Sequence, residues 1–85
     1  MRLPLIKHLV TFIEENDEDF VGEAIEVLES LSEVSSLKDE ELNVIGELLS
    51  NMYGAQEVMQ DIQAGTEKKT ALNGFMERVM GSIDT

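Results

Sequence analysis

The chain contains no cysteine and no tryptophan, and only one proline, one histidine and one tyrosine. Without cysteine it has no disulfide framework, no thiolate metal site and no thiol redox chemistry of its own. A single histidine, His8, leaves no HExxH pair and too few nitrogen ligands for a zinc centre. Bases are scarce too. Six lysines and arginines face eighteen acids, for a net charge of -12. The acidity is not confined to a tail: residues 1–34 hold nine acids and two bases, residues 35–85 nine and four. Such a surface repels a phosphate backbone, so nucleic acid is not an expected partner. Anionic membrane surfaces are disfavoured for the same reason. A basic partner or a divalent cation is electrostatically admissible.

Long apolar runs are also missing, and none approaches the length that spans a bilayer. The opening MRLPLIKHLVTFIEE has a signal-like start. Lys7 and His8 interrupt its apolar run, Glu14 and Glu15 follow, and no small-residue cleavage site appears. The expectation is a cytoplasmic protein with no membrane association.

At 85 residues with 42% hydrophobic content, residues 1–85 read as one folded domain. A chain of this size buries roughly 60–65% of its unfolded surface, so its core is thin. Small chains without covalent or metal staples often gain stability by oligomerising.

The periodicity predicts an all-α, four-helix, bundle-like domain without strands. Helix 1 starts at Pro4, where a missing N–H is harmless, and carries Leu5, Ile6, Leu9, Val10, Phe12 and Ile13 at helical spacing. Asn16 reads as the N-cap of helix 2. That helix is expected to bury Phe20, Val21, Ala24, Ile25, Val27, Leu28 and Leu31, with Glu23, Glu26, Glu29 and Glu33 outward. Ser36 reads as the cap of helix 3, which runs from about Leu37 to Ala64 and stops at Gly65. Thr66 then caps helix 4, with Leu72, Phe75, Met76, Val79 and Met80 on its apolar face, and Gly81 closes it.

Helix 3 raises a problem of size. At 1.5 Å per residue it is roughly 42 Å long, against a diameter of roughly 30 Å for a compact chain of this length. It must bend near residues 51–54 or project and be covered by another subunit. Its apolar residues, Leu42, Ile45, Leu48, Leu49, Met52, Tyr53, Ala55 and Met59, span more than about 180° of the helical wheel. That is wider than a helix on a monomer surface needs. Gly46, Ser50 and Gly54 fall on one ridge beside Leu49 and Tyr53. Each glycine costs about 1 kcal/mol relative to alanine, and the physical use of such a ridge is close backbone approach. A contact within the chain, a dimer interface, and a ligand groove or hinge all fit it.

Candidate chemistry is sparse. Counting an EF-hand loop from Asp17, Asp19 and Gly22 fit positions three and six, but Val21 and Leu28 stand where oxygen ligands belong. The acids are better read as a helix start. No Glu-x-x-His pair exists for a carboxylate-bridged metal site. Met52, Met59, Phe75, Met76 and Met80 form the remaining cluster, read either as core or as an adaptable groove for a partner helix.

The stretches LPLIKHL, FIEENDEDF, EAIEVLE, SLKDEEL, VIGELLSNMYGA and FMERVMGSID resemble a family of short, acidic, uncharacterised bacterial helical proteins, a domain of unknown function. The resemblance implies a small cytoplasmic helical protein with no assigned activity and transfers no functional residue. The leading expectation is therefore a non-enzymatic protein-protein interaction or adaptor module, acting as a homodimer and taking an unknown protein partner, with no catalytic residue, cofactor or metal. The alternative is a small-molecule or metal-dependent activity at an intersubunit cleft, using His8 with glutamates.

Overall fold

The computed structural model describes residues 2–84, with side chains as far as Val79. Its four helices are α1 (Leu3–Glu15), α2 (Asp19–Leu31), α3 (Asp39–Gln63) and α4 (Lys68–Asp84). They pack as an all-α, bundle-like fold, with no strand among the described residues.

The helix ends are set by local hydrogen bonds, and several differ from the expected caps. Pro4 sits in the first turn of α1, where Leu5 and Ile6 both donate to the Arg2 carbonyl at 3.1 Å. Asn16 closes α1 instead of opening α2. Its backbone N–H and its Nδ2 donate to the Phe12 carbonyl, at 2.9 and 3.1 Å. Asp17 takes over at the next start, its Oδ1 accepting from the Asp19 N–H at 3.0 Å. Likewise Ser36 does not cap α3. The Lys38 N–H donates to Glu41 Oε1 at 2.9 Å, which is half of a capping box. Gly65 ends α3 as expected. It adopts φ +109°, and Gly65 and Thr66 donate back to Ile62 and Asp61, both at 3.0 Å, in a Schellman motif. α4 begins at Lys68, two residues beyond Thr66, and continues through Gly81 to Asp84.

α3 is central and unbroken, about 37 Å long at 1.5 Å per residue. The chain directions follow from contacts at its two ends. The Arg2 N–H donates to Asn51 Oδ1 at 2.9 Å, and Gln63 Nε2 donates to Glu18 Oε2 at 3.1 Å. α1 therefore runs alongside α3 from Asn51 to its end, in the same direction. α2 returns antiparallel, bringing Glu29 back to Tyr53. α4 packs Phe75 against Gly54 and anchors its first turn on α1, where Lys68 Nζ meets Glu14 Oε1 at 2.8 Å.

The core consists of Ile6, Val10 and Ile13 from α1, Val21 and Ile25 from α2, Ala55, Val58 and Met59 from α3, and Ala71, Leu72 and Phe75 from α4. It lies entirely against the second half of α3. The buried residues of that helix are Asn51, Gly54, Ala55, Val58 and Met59, and none precedes Asn51. The molecule is correspondingly extended. Its radius of gyration is 13.8 Å, against about 12 Å for a compact chain of this length.

Candidate functional site

One stripe of α3, apolar except for Asn51, keeps alternating spacings of four and three: Val44, Leu48, Asn51, Ala55, Val58, Ile62. At 100° per residue these stay on one face. From Asn51 onward α1 and α4 cover that face. Upstream it is bare, because α1 begins level with Asn51. Val44 is 59% exposed and Leu48 39%. Beside them, Leu37, Val44 and Ile45 line a shallow apolar groove edged by Glu40 and Glu41.

Asn51 marks the boundary. It is 1% exposed, yet fully engaged, with Oδ1 accepting from Arg2 and Nδ2 donating to the Glu47 carbonyl at 2.7 Å. Sequence reasoning missed this residue. Its signal was one polar side chain inside the wide apolar arc of α3.

A second uncovered surface lies on α2. Only Val21 and Ile25 of the seven residues expected to be buried there are so. Phe20, Val27 and Leu31 are 56%, 59% and 45% exposed, and Val34 in the following turn is 45% exposed. With Ala24, the α2 residues keep the spacing 20–24–27–31, again alternating four and three, and Val34 follows beyond the end of the helix. Phe12 of α1 extends this surface, its ring edge-on to Phe20 with centroids 6.2 Å apart. The physical reason is width. α2 touches the rest of the fold chiefly through α3, so it buries one narrow face, and its second apolar stripe has no helix to meet.

The glycine ridge divides. A β-carbon on Gly54 would stand 2.9 Å from Phe75 Cζ and 3.2 Å from Ile6 Cδ1, so this glycine serves close packing within the chain. At Gly46 nothing lies within 4 Å of the same position, and this residue points away from the Val44–Leu48 stripe by about half a turn of the wheel. Ser50 is half-buried, and Leu49 packs partly against the core. Tyr53 is 45% exposed, and its hydroxyl donates to Glu29 Oε2 at 2.7 Å. That hydrogen bond to a carboxylate raises the phenol pKa above 10.0, with desolvation and the charge of Glu29 adding to it.

The described members of the methionine cluster are buried or half-buried. Met59 and Phe75 are core side chains, 8% and 2% exposed. Met52 and Met76 are half-buried against that core. The side chain of Met80 lies outside the described residues. His8 is exposed on α1. Among the described residues, no group of three or more His, Asp or Glu side chains is placed to hold a metal ion. An open cleft between α2 and α3 is lined by Glu18, Asp19, Glu23, Glu26 and Gln60 above Met59. It brings no nucleophile and base together. Among the described residues no helix is long and apolar enough to cross a membrane.

A family model matches residues 1–84, nearly the whole chain. The chain belongs to the family of unknown function DUF6952. Neither a curated protein nor a solved structure matches it. The family assigns no activity, so the two bare apolar surfaces are what remains to be explained in this DUF6952 chain.

Proposed function

We propose that this chain is a non-catalytic protein-protein interaction module that pairs with a second copy of itself through the uncovered first half of α3. The observation that carries the reading is the bare continuation of the core stripe, Val44 and Leu48, upstream of Asn51. A helix that is packed along one half and apolar along the other has lost part of its partner set.

The surface area supports a second copy. The chain exposes 5821 Å², against about 5,050 Å² expected for a compact monomer of its mass. The surplus, roughly 770 Å² over the whole chain, goes with its extended shape and leaves surface for an interface of standard size, ~800 Å² per partner. A two-fold pairing of α3 halves lays one copy's Val44–Leu48 stripe on the other's, and each copy supplies the helix that the other lacks.

The test is the solution mass. Multi-angle light scattering is expected to give twice the 9.5 kDa of the chain. The Val44→Glu/Leu48→Glu variant is expected to run as the single chain with its helicity intact, since both positions are exposed. A wild-type protein that stays at the single-chain mass across the concentration range defeats the pairing.

A further inference from the structure

We propose that the Phe20–Ala24–Val27–Leu31 stripe of α2, with Val34 just beyond the helix, is the docking face for a basic amphipathic helix of another protein. The inference deepens the interaction-module reading and rests on it only in that the chain binds protein; it does not need the α3 pairing.

Three observations lead to it. The stripe holds the seam spacing of one helix lying along another, and its large side chains are about half exposed. Phe12 and Phe20, in edge contact at one end, give it an aromatic anchor of the kind that dominates helix-in-groove binding. The third observation is charge. Residues 14–33 hold nine acids and no lysine or arginine. Asp19, Glu23 and Glu26 fall along one flank of the stripe by helical spacing.

Charge selects the occupant. A second copy laid on this face would bring two such acidic segments together around one apolar seam, and like charges at that range oppose association. A helix with leucine-type residues inward and lysine or arginine at its edges meets both features at once. The apolar seam sets the register, and the acidic flank favours a basic helix over a neutral one and rejects an acidic helix of the same apolar pattern.

The probe is a labelled synthetic peptide with leucine at heptad positions a and d and lysine at e and g, titrated with the full chain. Two control peptides accompany it. One carries glutamate at e and g; the other keeps lysine but has serine at a and d. The leucine–lysine peptide is expected to bind at least about tenfold more tightly than either control, a difference of roughly 1.4 kcal/mol, and to weaken as salt is raised. Amide shifts on the wild-type chain are expected to centre on residues 19–34, and the Val27→Gln/Leu31→Gln variant to lose the binding.

Equal binding of the serine–lysine peptide would reduce the effect to charge alone and overturn the proposal. Shifts centred elsewhere would overturn it as well, as would undiminished binding to the variant. So would a wild-type dimer mass halved by Val27→Gln/Leu31→Gln, which would assign the face to a second copy. Failure of the α3 pairing is distinguishable, because it leaves a single-chain mass with peptide binding intact.

Discussion

Gly46 and Gly54 share one ridge of α3, yet a side chain means opposite things at the two positions. At Gly54 even a β-carbon meets the buried ring of Phe75. Gly54→Leu is therefore expected to lower stability by at least about 1–3 kcal/mol through overpacking. Gly46 faces open space, so Gly46→Ala is expected to gain about 0.5–1 kcal/mol from helix propensity. Urea denaturation of the two variants reads both signs. Equal effects at the two glycines would show that the ridge acts as a unit, contrary to this placement. The sequence made the ridge visible and its purpose ambiguous, because spacing places residues on a face without saying what covers it.

Tyr53 offers a pH readout at the same scale. Its phenol is held neutral by donating to Glu29. A group whose folded pKa lies above its unfolded value contributes stability that is present below the unfolded pKa and is lost as pH rises through the folded one. Here the loss falls above pH 10.0. Phenolate absorbance is expected to titrate later in the folded chain than in denaturant, and Glu29→Ala, which removes both the acceptor and the charge, is expected to bring the two curves towards each other. Coincident curves in the wild type would mean that the Tyr53–Glu29 bond is not formed in solution.

At the scale of elements, the four helices were legible because their apolar periodicities are long and their breaks short. The caps were less so. Asn16, read as a start, acts as a stop, since one asparagine side chain can bond forward or back and only the neighbouring turns decide. The larger miss is α2. Helical spacing puts seven apolar residues on one expected buried face, whereas the structure divides them among a narrow core face at Val21 and Ile25, half-buried Ala24 and Leu28, and an outer stripe at Phe20, Val27 and Leu31. Hydrophobicity reports that a face seeks cover, not that the same chain supplies it. α3 carries the same lesson along its length, covered from Asn51 on and bare before it. The Val44→Glu/Leu48→Glu variant probes that half directly. It is expected to keep the chain's helical content while abolishing self-association and the concentration-dependent part of its stability, because neither side chain belongs to the core.

For the whole molecule, charge decides how the two surfaces respond to solution conditions. A chain of net charge -12 repels its own copy, so salt is expected to tighten α3 pairing while loosening a basic helix on α2. Opposite salt responses in the two assays would separate the surfaces without any substitution. The extended shape, 43 × 35 × 17 Å, follows from α3 outrunning the bundle packed on it. A length mismatch between helix and globule could be read from the sequence, but not which end would project.

The central claim is that the bare half of α3 belongs against a second copy. Light scattering on the wild-type chain beside Val44→Glu/Leu48→Glu, at several concentrations and two salt levels, tests it most directly. The account predicts twice the 9.5 kDa chain mass for the wild type, held more tightly at high salt, and the single-chain mass for the variant. A wild-type protein that remains at 9.5 kDa throughout, or a variant that still runs as a dimer, contradicts it.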